Sequence, residues 1–247
     1  MKENTEHLII IGMARTGSNL WRSILTKHSC VFIAQELQLW MPHRRAFASW
    51  YESFQPSESK EKALNLLDEL YALPSTKNRP SFLDRFWKRI ADWAPRNRLE
   101  NRYLESDRSL RSFISILLAT CKEHGGKKIA GCKNPCHILY LRRLRRWLEP
   151  VKTMHLIRDP RAVYGSQLLK KTKDLKLGTT PKNPLYRASV FAFTVFETYT
   201  NAWVHLRLKN TKAYRLCRYE SLLHDLKLET SLICDFLGID PEPEMLN

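Results

Sequence analysis

Leu8–Ile11 is an unbroken apolar run, and Gly12-Met13-Ala14-Arg15-Thr16-Gly17-Ser18-Asn19 follows it directly. Beyond that turn, Leu20, Trp21, Ile24 and Leu25 recur at helical spacing. The chain therefore opens as strand, glycine-containing loop and helix, a unit whose loop amides and helix N-terminus suit an anion. Val31–Ala34, Ile129–Cys132, Val151–Ile157 and Ala213–Cys217 also read as strands. His137–Leu148, Arg161–Lys171, Ala188–Lys209 and Ser221–Leu237 read as helices between or after them. This alternation predicts an α/β fold of three layers, α/β/α, with helices on both faces of a mainly parallel central sheet. Leu64–Leu73, Phe82–Trp93 and Ser109–Glu123 have helical periodicity, punctuated by Pro56, Pro74, Pro80 and Pro95. Residues from about 54 to 111 thus read as a helical insertion within a single domain, 1–247.

At 247 residues and 43% apolar content, the chain can bury one large core. Its net charge of +16 calls for an anionic partner. Nucleic acid is not the expected one, because no element interleaves aromatics with arginines and no module signature appears. Phe113–Cys121 is too short to span a membrane, and Ala188–Leu206 is interrupted by Glu197. No export signal is evident at the start, so the expectation is a cytoplasmic protein without a membrane span. The six cysteines are too scattered for a disulfide scaffold. Cys132 and Cys136 lie four apart with no second ligand pair, so no metal is expected.

Ligands of parallel sheets sit beyond the carboxyl ends of the strands, and four of the predicted ends carry Arg15, Glu36, Lys133 and Arg158. The first loop has the glycine separation of a nucleotide-binding P-loop at Gly12 and Gly17. Ser18, however, occupies the position of the phosphate-binding lysine, and no acidic strand end suits magnesium. A P-loop-type kinase or NTPase is therefore the second reading.

The first reading comes from a resemblance. Gly12-Met13-Ala14-Arg15-Thr16-Gly17-Ser18-Asn19 resembles the 5′-phosphosulfate loop of the sulfotransferases that use 3′-phosphoadenosine 5′-phosphosulfate (PAPS). Arg158-Asp159-Pro160-Arg161-Ala162-Val163-Tyr164-Gly165-Ser166 resembles that family's 3′-phosphate motif, an arginine at a strand end with a serine eight positions on. Such a pair can grip one phosphate from two sides, with a planar fork and a hydroxyl. Tyr219-Glu220-Ser221-Leu222-Leu223 and Phe236-Leu237-Gly238-Ile239 are similar to the family's late Tyr-Glu-Asp-Leu segment and closing helix.

The resemblance implies a P-loop-NTPase-like sulfotransferase fold. It also implies transfer of the sulfuryl group from PAPS to a hydroxyl acceptor, with release of adenosine 3′,5′-bisphosphate and without a metal. Arg15, Thr16, Gly17, Ser18 and Asn19 would hold the 5′ side, Arg158 and Ser166 the 3′-phosphate, and Tyr219 would lie near the adenine. The reactive groups look closest to those of protein-tyrosine sulfotransferases, which place a glutamate shortly after the first helix and a Lys-Asp-Pro strand end later. Here Glu36, twenty-one positions after Arg15, is the base, and Arg15 and Lys133 of Lys133-Asn134-Pro135 stabilise charge. His137 keeps open the histidine base of the cytosolic enzymes. A peptide tyrosine, a carbohydrate hydroxyl and a small alcohol or phenol all remain as acceptors. A catalytically inactive binding protein of the same fold also stays open, because the Gly- and basic-rich segment that family members carry after the closing helix has no counterpart in the sequence up to Asn247.

Overall fold

The computed structural model describes residues 6–35, 59–71, 90–174 and 183–247. The chain runs β1 (His7–Gly12), α1 (Ser18–Lys27), β2 (Val31–Gln35), α2 (Lys60–Tyr71), α3 (Arg96–Glu105), α4 (Leu110–His124) and β3 (Ile129–Lys133). After a 3₁₀ turn at Pro135–Tyr140 come α5 (Leu141–Trp147), β4 (Val151–Ile157), α6 (Pro160–Asp174) and α7 (Pro184–Leu208). β5 (Tyr214–Arg218), α8 (Tyr219–His224), α9 (Leu226–Leu237) and a 3₁₀ turn at Pro243–Leu246 complete it. The strands form one parallel sheet in the order β2-β3-β1-β4-β5.

β1 lies at the centre and is buried along its whole length, as an uninterrupted apolar strand between two helical layers must be. Its side chains alternate between two cores. Ile9 and Ile11 join the cluster under α2, α3, α4 and α5, with Leu67, Leu99, Phe113 and Leu144 at its heart. Leu8 and Ile10 face the opposite cluster, built by Trp21 and Leu25 of α1, Leu222 of α8 and Ile233 and Leu237 of α9. The three-layer α/β/α arrangement expected from the sequence is the observed one.

Several boundaries differ from the sequence reading. The basic stretch after β3 begins as a 3₁₀ turn at Pro135, and α5 starts only after Tyr140, whose φ of −119° and ψ of 11° break the helical path. Ser221–Leu237 is two helices, because Asp225 leaves helical geometry at φ −144° and its side chain accepts from the Leu228 N–H to cap α9. α3, absent from the sequence reading, follows directly on Pro95, so that proline starts a helix as well as ending the segment before it. Ser109 caps α4 by accepting from the Ser112 N–H. Most of Phe82–Trp93 lies outside the described residues. No helix among the described residues is long and apolar enough to cross a membrane.

Candidate active site

Gly12 ends β1 at φ 144°, opposite Leu156 of β4. A β-carbon there would fall 2.3 Å from the Leu156 carbonyl oxygen, so only glycine lets the two strands run this close at the mouth of the site. The loop then turns through Arg15 at φ 75° and Gly17 at φ 84°. Thr16 is buried, and its hydroxyl donates to the Met13 carbonyl at 2.8 Å, closing the turn from inside. Gly17 caps α1 with no side-chain hydrogen bond, and the first turn of that helix holds no acidic residue. Its leading amides and the positive end of its dipole therefore remain available to an anion.

Two cations from neighbouring strand ends, Lys133 and Arg158, meet this loop beside its own Arg15. Lys133, at the end of β3, is buried and donates from Nζ to Asn19 Oδ1 at 2.8 Å. Arg158, just past β4, donates to the Arg15 carbonyl at 3.1 Å and stacks over the Tyr219 ring with its Cζ 4.3 Å from the centroid. Arg15 reaches across to α6, where its Nε donates to Ser166 Oγ at 2.9 Å. Ala14, Arg15, Gly17, Ser18, Asn19, Lys133, Pro135, Arg158 and Tyr219 line a single pocket of about 300 Å³. Of the residues singled out in the sequence, Arg15, Gly17, Ser18, Asn19, Lys133, Arg158 and Tyr219 share this pocket, and Ser166 adjoins it through Arg15. Glu36 lies outside the described residues. His137 sits in the 3₁₀ turn after β3, buried, with Nδ1 3.7 Å from Cys132 Sγ.

Two carboxylates to which the sequence assigned no role tie these elements together from outside the pocket lining. Glu220 accepts from the Asp159 N–H at 2.9 Å and so ties the turn after β4 to the turn after β5. Asp159 is itself paired with Arg161, whose guanidinium holds the Asp159 carboxyl down at about 2. Glu197 of α7 lies behind the loop, accepting from the Gln167 side chain at 3.3 Å and from the Ala14 N–H. Burial raises its carboxyl above the usual range, and those two hydrogen bonds oppose the rise. Deeper still, His155 of β4 bridges Asn201 Oδ1 at 2.5 Å and the Tyr214 hydroxyl at 2.7 Å. Donating to the first and accepting from the second satisfies a neutral ring, and burial pushes its pKa down to about 4.

A parallel sheet with an uncapped helix N-terminus and three cations at its central strand ends is a candidate anion site on a P-loop-like fold. Three solved structures share the fold. The sulfotransferase domain from the curacin biosynthetic pathway is 20% identical over 98% of this chain and 77% of its own, with a TM-score of 0.60. The sulfotransferase domain of the Synechococcus PCC 7002 olefin synthase is 19% identical over 99% and 76%, at 0.57. A sulfotransferase of Mycobacterium avium is 16% identical over 98% and 66%, at 0.54. The sequence model of the sulfotransferase family matches residues 7–243, and the chain belongs to that family. A search of curated proteins gave no match.

Proposed function

We propose that the chain, acting as one domain over residues 1–247, transfers the sulfuryl group of PAPS to a hydroxyl acceptor and releases adenosine 3′,5′-bisphosphate. The observation that carries this reading is the convergence of Arg15, Lys133 and Arg158 on the open N-terminus of α1, with Ser166 one hydrogen bond away. The loop amides, Ser18 and Asn19 take the 5′-phosphosulfate. Arg158 and Ser166 take the 3′-phosphate, and the Tyr219 ring takes one face of the adenine.

In the transfer, the acceptor oxygen bonds to sulfur as the bond from sulfur to the 5′-phosphate oxygen breaks. The acceptor proton passes to a base, and negative charge gathers on the departing oxygen. Lys133 and Arg15 lie where that charge develops. Glu36 is assigned as the base. His137, the alternative, is buried against Cys132 and less open to an acceptor hydroxyl.

Calorimetric titration tests the donor. Wild type should bind adenosine 3′,5′-bisphosphate more tightly than 5′-AMP or magnesium-ATP. Arg158→Ala, losing a charged hydrogen bond of about 1.5–3 kcal/mol, should lose roughly ten- to a hundredfold of that preference. Equal or tighter binding of magnesium-ATP by wild type would refute the reading.

A further inference from the structure

α7 holds one acidic residue in 25, Glu197, and its carboxylate turns toward the back of the first loop instead of toward solvent. The contact is not isolated. One residue on, the Thr198 hydroxyl lies 3.9 Å from Met13 Sδ, so α7 touches the loop at two consecutive positions. Gln167, which donates to Glu197, directly follows Ser166 on α6. The Glu197 carbonyl accepts from Asn201 Nδ2 at 2.6 Å, and Asn201 in turn holds His155 of β4. This turn of α7 is thus tied to the sheet through Asn201, while the Glu197 carboxylate reaches the first loop at Ala14 and α6 at Gln167.

We infer that Glu197 is a positioning residue for the anion pocket, fixing the separation of the first loop and α6 through Ala14 and Gln167. A carboxylate has two acceptor oxygens, so it can serve a loop amide and a side-chain amide at once. With Ala14 held from behind, the amides further along the loop face the pocket, and Arg15 is presented in the left-handed turn from which it meets Ser166. A two-phosphate ligand needs both elements at the right distance, whereas a 5′-monophosphate needs chiefly the loop.

The test compares Glu197→Ala with Glu197→Gln. Glutamine keeps an oxygen for the Ala14 N–H, and its NH2 can donate to Gln167 Oε1 once the Gln167 amide turns over, so it should behave like wild type. Alanine keeps neither. Hydrogen exchange at the Ala14 amide in the unliganded protein should speed up about tenfold in Glu197→Ala and stay near wild type in Glu197→Gln. The binding arm, which rests on the donor reading above, is titration with adenosine 3′,5′-bisphosphate and 5′-AMP. Affinity for the bisphosphate should fall about tenfold in Glu197→Ala, with a smaller loss for 5′-AMP, while Glu197→Gln retains both. Wild-type exchange in Glu197→Ala, or a Glu197→Gln variant as impaired as Glu197→Ala, overturns the inference. If wild type itself does not prefer the bisphosphate, the donor reading fails and the exchange arm still decides the role of Glu197.

Discussion

Replacing Gly17 by alanine introduces two separable costs. The first is backbone: at φ 84° and ψ 15° an L-residue sits in the left-handed region, which costs roughly 1–2 kcal/mol. The second is contact: the new β-carbon would lie 2.4 Å from Tyr219 Cδ2 and 2.7 Å from Cε2, so the ring must leave. Tyr219 is only half-buried and can swing outward, giving up its stack with Arg158, about 0.5–1 kcal/mol. Together these predict a fold that survives with roughly 1.5–3 kcal/mol less stability, measured by urea denaturation. Binding of adenosine 3′,5′-bisphosphate should suffer more than stability, because Tyr219 and Arg158 both line the pocket. A double-mutant cycle with Tyr219→Ala isolates the contact. With the ring absent, Gly17→Ala should cost only its backbone part, leaving a coupling of about 1 kcal/mol. Gly17→Asn, whose side chain tolerates the left-handed region, keeps the clash and lowers the backbone cost. Strictly additive energies in the cycle, or wild-type stability and binding in Gly17→Ala, would refute the reasoning.

His155 is held neutral in the fold, with its pKa at about 4 against 6.5 for a free histidine. Between those values the unfolded chain binds the extra proton, so this group's contribution is intact above pH 6.5 and is lost progressively as pH falls toward 4. The shift corresponds to roughly 3 kcal/mol, and His155→Gln should flatten that part of a denaturation series run from pH 7.5 to 4.5; an equal slope in both proteins would remove His155 as the source. Lys133→Met keeps the buried stem and removes the charge at Asn19. Its thermal midpoint should hold or rise while bisphosphate affinity drops about tenfold, whereas a lower midpoint with intact binding would make the lysine structural.

The first loop was legible because its constraints are local: an apolar run, two glycines at a fixed interval and a helical repeat immediately after. The segment from Arg158 to Ser166 was legible for the same reason, with Pro160 marking the start of α6. α3 was hidden because its buried face is little more than Leu99 and Tyr103, set among arginine, asparagine and glutamate, so its apolar repeat is weak. The division between α8 and α9 was masked by an apolar pattern that continues across it, and the available signal was Asp225 as a cap. Glu197 gave no local signal at all. In sequence it only interrupts an apolar stretch, and its meaning depends on α7 lying against a loop more than 180 residues earlier.

What brings Arg15, Lys133 and Arg158 together is strand order, which no local pattern encodes. β1 is central, with β3 on one side and β4 on the other. The chain leaves β1 for the edge at β2 and returns to β3, then crosses to the opposite side for β4 and β5. The direction of winding thus reverses about β1, and a crevice opens there at the carboxyl ends of the strands. The carboxyl ends of β1, β3 and β4 all meet there, and each brings one cation. Had β3 and β4 lain on the same side of β1, one of those cations would be set at least one further strand spacing away, about 4.8 Å, too far for direct contact with the first loop. The register sharpens this, because Ile10 is level with Lys133, the last residue of β3, whereas Gly12 is level with Leu156 of β4; β3 thus stops two residues short of the end of β1 and β4 runs one residue past it, to Ile157. Lys133 is therefore delivered low, beside Asn19, and Arg158 high, over Tyr219 and the Arg15 carbonyl. That offset suits a ligand with two separated anionic groups better than a compact one, which is the physical reason to expect the bisphosphate to outcompete a monophosphate.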